Sequence, residues 1–343
     1  MATMDDIAKE LGLSKATVSK AISGAKDVSQ STRSAVLNKA AELGYTRAPR
    51  KTDIRRIALF IINMKYEQPE DFGYDIVQGF LHAAEPSGFQ VEIVPLTLEL
   101  QRSIRYDDYM VSNNYCGSLF LGLDLLCPWL REFETCTVPA VLYDNAVRGN
   151  PNVTHVGVDN AEGMELAVKH LVKLGHRKIG YLSSTTHSYV YQQRYVSFYR
   201  AMQENGLAID GNVMGSAHHI SDCLTQHLPR LLEQGCTAIV CSHDLLAHSL
   251  MVHCREMGLR IPDDISILGF DDIPLCRYTN PPLTTIRQNR PALGKSAFFA
   301  LSSHFSDVPV GTHLLHAELI RRASCGPAPT TPRSIPRLEQ ITI

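Results

Sequence analysis

Apolar positions up to Leu43 recur at helical spacing, and from Ile57 onward they gather into short runs divided by amphipathic stretches. The first part reads as three short helices. Thr3 followed by Asp6 resembles a capping box, and Ile7, Ala8 and Leu11 then form one apolar face. Gly12-Leu13-Ser14 breaks this helix, and Ser14 can cap a second one from Lys15 to Ile22, which Gly24 stops. Ser29 starts a third helix that turns Val36, Leu37, Ala40 and Leu43 inward and ends at Gly44. Small Ala8 permits close approach of the first two helices. Val18 and Ile22 point inward, leaving Lys15, Ala16, Thr17, Ser19, Lys20 and Ser23 outward.

From Ile57 the pattern changes to strand-then-helix units. Strands are predicted at 57–62, 91–96, 118–122, 140–143, 178–183, 238–242 and 266–270. Helices are predicted at 160–174, 189–204, 221–233 and 244–257, the third of them compromised by Pro229. Short apolar strands alternating with amphipathic helices imply parallel sheets covered on both faces. The stretch is long for one such sheet, so two α/β subdomains are expected. The fold class is therefore α plus α/β: an N-terminal three-helix domain of helix-turn-helix type, then a two-subdomain α/β body. The tail 326–343 carries four prolines and reads as a strap or loose end.

Charge sharpens this division. The whole chain carries a net −2, but residues 1–56 hold 11 Lys and Arg against 6 Asp and Glu. A basic end on an acidic body suggests an anionic partner for the end alone. Part of that charge lies in a linker, 45–56, which has Pro49, five arginines and lysines, and no apolar periodicity. The nine cysteines include no C-x-x-C pair, and the acidic start is unlike a secretory signal. Reduced, mostly buried thiols in a cytoplasmic protein are expected. The apolar stretch 116–130 contains Asp124 and Pro128 and is too short to span a membrane.

A helix, a turn with glycine and a second helix make the helix-turn-helix arrangement. The outward residues of the second helix are cations, hydroxyls and one alanine. Cations suit phosphates and guanine edges, hydroxyls suit phosphates, and alanine suits a thymine methyl. A plain three-helix bundle with a solvated basic face is the bland alternative. Two further motifs are decoys. Asn289-Arg290-Pro291-Ala292-Leu293-Gly294-Lys295-Ser296 lacks the first glycine of a phosphate loop, and Pro291 removes an N–H that would cradle phosphate. His219, Cys223 and His227 have helical spacing that could hold zinc, but ordinary helix-face residues are the expected reading. No cofactor, metal or catalytic residue is expected.

The residues also carry a resemblance. Met4-Asp5-Asp6-Ile7-Ala8, then Leu13 through Ala21, Val28-Ser29, Thr32-Arg33 and Ala40 through Tyr45 resemble the DNA-binding domain of LacI/GalR family regulators. Leu171 through Ile179, Leu268-Gly269-Phe270-Asp271-Asp272 and Pro282 through Gln288 are similar to motifs of that family's body. The resemblance implies a cytoplasmic homodimer that binds a palindromic operator in double-stranded DNA. It also implies a periplasmic-binding-protein-like body holding a small effector between its subdomains. The expected domains are 1–46 for the head, 47–56 for the linker, 57–325 for the body and 326–343 for the tail. Within the body, one subdomain takes about 57–158 and 289–312, and the other about 159–288 and 313–325. Residues 72–115 and 292–304 are the expected dimer interface.

Carried over position by position, the resemblance implies that Lys15, Ala16 and Lys20 face bases. Thr3, Ser14, Thr17, Ser19, Ser29 and Thr32 would fix phosphates. Lys20 replaces the usual arginine, a planar fork, by a point charge. The linker lacks the family's hinge leucine, so it is expected to hold phosphates through Arg47 and Arg50 without strongly kinking the DNA. A solvated tether is the alternative. For the effector, the family's polar contacts fall on Arg194, Asp271 and the end of the strand at 238–242, where His243 stands in place of the usual Asn. Phe72 matches a ring-stacking position, and Asp144 and Gln288 match further polar ones. Asp159 matches a position near the subdomain crossing. A sugar is the expected effector, with a nucleobase, amino sugar or other metabolite as alternatives. A repressor of carbohydrate-related genes is the expected function. A solute-binding protein, or an α/β enzyme with a DNA-binding head, are the rival readings.

Overall fold

The computed structural model describes residues 3–22, 28–43, 45, 55–184, 187–208 and 213–330. The head consists of α1 (Met4–Leu11), α2 (Lys15–Ile22) and α3 (Gln30–Glu42). Ile7, Val18 and Val36 are fully buried at its centre, with Ala8, Ala21 and Ala40 packed around them. Ala21 is therefore a core residue, while Ile22, expected inward, is only half-buried at the rim. Both lie near the Val18 face, three and four residues on, and the smaller side chain fits the tight crossing. Gly12 ends α1 in the left-handed region at φ 63, and the following Leu13 N–H returns to the Ala8 carbonyl at 2.9 Å.

The body opens with β1 (Arg55–Ile61), then α4 (Tyr74–Ala84), β2 (Phe89–Pro95), α5 (Leu98–Ser103) and α6 (Tyr106–Ser112). It continues with β3 (Tyr115–Leu121), α7 (Trp129–Glu132), β4 (Ala140–Tyr143) and β5 (Val153–Val158). The second half contains α8 (Asn160–Lys173), β6 (Ile179–Ser184), α9 (Tyr189–Glu204), β7 (Met214–Ala217), α10 (Ile220–Asp222), α11 (Leu228–Glu233) and β8 (Ala238–Cys241). Next come α12 (Asp244–Glu256), β9 (Ser266–Asp271), β10 (Thr284–Arg287), α13 (Arg290–His304), β11 (Thr312–Leu315) and β12 (Glu318–Ile320). Two six-stranded sheets result, ordered β11-β5-β4-β3-β1-β2 and β12-β10-β9-β8-β6-β7. All pairs are parallel except β10 with β12. Central strands such as β4, β8 and β9 are buried along their whole length, as strands covered by helices on both faces must be.

The chain crosses between the halves after β5, after β10 and after β11. The last crossing falls later than the expected split at 312/313, because Thr312 to Leu315 pair in register with His155 to Val158. The first and third crossings are tied together. Asp159 N–H donates to the Leu315 carbonyl at 2.8 Å, and the Glu162 carboxylate accepts from Ala317 N–H at 2.9 Å.

The predicted helix 221–233 is broken into three pieces. A π-helical turn, Cys223–His227, separates α10 from α11. Pro229 is the physical reason: it has no N–H for the Thr225 carbonyl and needs room for its ring, which the wider turn supplies. The turn also disperses the supposed metal ligands. Cys223 Sγ donates to the Ser183 carbonyl, and His227 Nε2 meets the Ser216 carbonyl at 3.1 Å.

One contact fixes the first half. Helices α4 and α13 cross with glycine on both sides. A Cβ on Gly294 would stand 2.0 Å from the Ile76 carbonyl oxygen and 2.7 Å from Phe80 N; one on Gly79 would stand 2.2 Å from the Pro291 carbonyl oxygen. Backbone cannot step aside as a side-chain tip can. Gly294→Ala should therefore force α4 and α13 apart and destabilise the body by about 1–3 kcal/mol. The check is a lowered urea midpoint in a denaturation curve followed by circular dichroism.

Candidate functional site

Two sites emerge, one on the head and one between the halves of the body. On the head, Ser14, Lys15, Ala16 and Lys20 are exposed, and Thr17 and Ser19 are half-buried on the same helix. The expected phosphate-binding hydroxyls also hold the helix starts. Thr3 accepts from Asp6 N–H, and Asp6 returns a carboxylate oxygen to Thr3 N–H at 2.8 Å. These bonds hold the Asp6 carboxyl below its ordinary pKa. Ser14 Oγ accepts from Thr17 N–H at 3.0 Å, and Ser29 Oγ accepts from Thr32 N–H at 3.2 Å. The chemistry is shared: groups that satisfy orphan N–H donors sit where a helix N-terminus attracts phosphate. Arg47 and Arg50 lie outside the described residues.

Between the halves lies a cleft of about 670 Å³. Phe72, Asp144, Arg194, His243, Asp271 and Gln288, the whole expected set, line it. Sheet topology explains the convergence. Asp144 follows β4, Asp271 ends β9, Ser242 and His243 follow β8, and Gln288 follows β10. These are the carboxyl ends of parallel strands, where open α/β sheets bind ligands. Two of these residues carry unusual backbone, Asp144 at φ 51 and Asp271 at φ 116. Such strain persists only where surroundings impose it, and it clusters at binding sites.

Arg194 is the centre of this site. It projects from α9 and is 1% exposed. Nε donates to Asn160 Oδ1 at 2.9 Å, Nη1 donates to the Ser242 carbonyl at 2.5 Å, and Nη1 stands 3.2 Å from Asp271 Oδ1. Its carbon centre lies 3.7 Å from the Phe270 ring centroid, a cation–π contact. Asp271 also accepts from Gln288 Nε2 at 2.7 Å, and Gln288 Oε1 accepts from Tyr143 OH at 3.0 Å. A hydrogen-bonded chain thus runs from the first half through the crossing to Arg194. Burial raises the Asp271 pKa, while Arg194 and Gln288 pull against it. The neighbouring Asp272 faces elsewhere, paired with Arg287 at 2.8 Å and Arg322 at 2.6 Å.

Asp144 is different. Burial raises its pKa to about 6, with Arg194 a weaker opposing influence. Its buried Oδ1 has no hydrogen-bond partner within the protein. His243 is fully engaged. Its Nδ1 accepts from Leu246 N–H at 3.0 Å as the cap of α12, so its proton is on Nε2, 2.7 Å from Ser184 Oγ. Burial, with Arg194 nearby, lowers its pKa to about 4, so it is a neutral donor and not a free base. Asp244 next to it is structural: it accepts from Thr285 Oγ1 at 2.6 Å and Ile273 N–H at 3.0 Å. Phe72 lines the first half with the Arg290 guanidinium 5.5 Å from its ring centroid. Asp159 caps α8 by accepting from Ala161 and Glu162 N–H.

Sequence reasoning missed Asn160, Tyr143 and Tyr191. Tyr191 had a readable signal, since it precedes Arg194 by three on one helix and so shares its face. Its ring centroid lies 5.6 Å from the Arg194 guanidinium. Asn160 and Tyr143 had none, because only the tertiary fold brings them to Arg194 and Gln288.

Comparison with known proteins agrees with both sites. The profile of bacterial regulatory proteins of the lacI family matches residues 3–48, and that of the periplasmic binding protein-like domain matches residues 168–325. The HTH-type transcriptional regulator MalR of Streptomyces coelicolor is 30% identical over 343 residues, covering 94% of this chain and 96% of its own. The HTH-type transcriptional repressor CytR of Escherichia coli is 29% identical over 328 residues, with the same two coverages of 94% and 96%. Among solved structures, a complex of the transcriptional regulator CelR with cellobiose matches with a TM-score of 0.68 at 23% identity, covering 94% of this chain and 100% of that one. A lac repressor dimer bound to operator and the anti-inducer ONPF matches with a TM-score of 0.66 at 24% identity, covering 95% and 99%. Among the described residues no helix is long and apolar enough to cross a membrane. The chain belongs to the LacI family: it is a DNA-binding transcriptional regulator whose helix-turn-helix head is joined to a periplasmic-binding-protein-like body.

Proposed function

We propose that this protein is a cytoplasmic, homodimeric repressor whose operator affinity is set by a sugar bound in the cleft. The observation that carries the reading is the arrangement around Arg194. A locked guanidinium, an ion-paired carboxylate and a carboxylate oxygen without a partner converge on a cavity lined by both halves. Sugar hydroxyls both donate and accept, so one ring can satisfy Asp144 while accepting from Arg194 or His243. The aromatic residues Phe72 and Tyr191 supply apolar faces on the same cavity. A cellobiose complex among the structural matches supports a saccharide as the class to try first. Exposed Val111 and Phe299 fall within the two stretches expected at the dimer interface, which supports the homodimer.

Closing the halves on a ligand would reorient the first half in each protomer and so respace the two heads on the operator. The three crossings make such a motion feasible, since few residues need to change conformation. The phosphate-fixing role of Thr3, Ser14, Thr17, Ser19, Ser29 and Thr32, and base contact by Lys15, Ala16 and Lys20, belong to the same proposal.

A thermal-shift screen of mono- and disaccharides identifies the effector, since a tight ligand raises the melting temperature by mass action. Mobility shifts on DNA upstream of the protein's own gene then test the response. Arg194→Lys keeps the buried charge but loses the planar fork. It should weaken the stabilising sugar at least 100-fold while leaving operator binding without ligand within about twofold. An unchanged sugar response in this variant would remove Arg194 from the site. Acidity supplies a second check. The ionised Asp144 is the better acceptor for hydroxyls, and its pKa stands at about 6. Sugar affinity should therefore hold near pH 7.5 and fall as the pH drops through 6, and Asp144→Asn should flatten that fall, as titration calorimetry would register.

A further inference from the structure

The DNA-facing surface of the head carries a carboxylate that is absent from the expected set of contacts. Asp5 is the second residue of α1, and Lys15 is the first residue of α2. Across the turn between these helices, Lys15 Nζ donates to Asp5 Oδ2 at 2.6 Å, and each side chain keeps 63% of its exposure. Asp6, next in sequence, is turned back onto Thr3 and is unavailable for such a role. The pair therefore sits in solvent, at the start of the helix that enters the DNA groove.

An exposed ion pair does little for folding. Its consequence lies at the interface. A lone ammonium at the start of a recognition helix seeks the nearest phosphate, a contact that favours every duplex equally. A carboxylate 2.6 Å away cancels that charge and restrains where the ammonium can reach. The carboxylate itself is repelled by phosphates. Among base edges in the major groove, those it can approach favourably are the amino groups of cytosine and adenine.

We propose that Asp5 is a specificity-determining residue: it withholds Lys15 from the phosphate backbone and disfavours sequences that put no cytosine or adenine amino group beside the pair. The proposal concerns discrimination between DNA sequences and is independent of the effector.

The test uses the full-length protein and four variants, Asp5→Asn, Asp5→Glu, Lys15→Ala and the double variant Asp5→Asn/Lys15→Ala. Each is titrated with a random-sequence duplex over a range of salt, and each is used to select sites from a randomised duplex library. Asp5→Asn should bind random duplex about tenfold more tightly at low salt, with a steeper salt dependence, because each head frees one more cation for phosphate. Its selected sites should lose the base preference at one position per half-site. Asp5→Glu keeps the charge and should behave like the unmodified protein. In the Lys15→Ala background, Asp5→Asn should leave the selected bases unchanged. The proposal is overturned if Asp5→Asn keeps the original base preference and binds random duplex within twofold of the unmodified protein. It is equally overturned if Asp5→Asn shifts the preference as much without Lys15 as with it. Circular dichroism melts of each variant separate both results from loss of fold, and Asp5→Glu supplies the reading if Asp5→Asn melts early.

Discussion

A guanidinium that is 1% exposed can exist only where every one of its demands is met, and the body of this protein is arranged around one. Arg194 draws the start of α8 through Asn160, the end of β8 through the Ser242 carbonyl and the end of β9 through Asp271. Phe270 covers its face. The carboxylate it neutralises is in turn held by Gln288, which Tyr143 of the other half also holds. A ligand that touches Arg194 or Asp271 thus acts on groups already connected through the crossing. The same network leaves Asp144 with an unpaired oxygen, so the empty cleft has acceptor capacity to spare.

Much of this fold was legible in the chain. The helix predicted over 189–204 is present with those bounds, and that over 160–174 ends one residue earlier. Both have long amphipathic patterns and clear starts. Strands β5, β7, β11 and β12 were not foreseen, and the reasons differ. In β5, Thr154 and His155 interrupt the apolar run yet are buried, because His304 and the Val310 carbonyl satisfy the threonine. The other three are short strands at sheet edges, where exposure on one side removes the need for an apolar run. The π-helical turn before Pro229 could be anticipated as a break but not in its form.

The cleft residues were legible in another way. Neither spacing nor periodicity links Asp144, Arg194, Asp271 and Gln288, which come from four separate strand-to-helix units. Resemblance placed them, and the carboxyl ends of parallel strands explain why they meet. Resemblance was silent on the state of each group. That His243 caps a helix and donates from Nε2, and that Asp144 titrates near 6 while Asp272 is locked to two arginines, required three dimensions. The head shows the same limit. Thr3, Ser14 and Ser29 were readable as caps, whereas the Asp5–Lys15 pair depends on how two helices cross.

The central claim is that cleft and operator are two sites of one equilibrium. Reciprocity makes it measurable. The operator dissociation constant is determined with and without saturating sugar, and the sugar dissociation constant with and without saturating operator. If the cleft governs the heads, the two ratios are equal and differ from one. A sugar that requires Arg194 for binding yet leaves operator affinity unchanged would contradict the account.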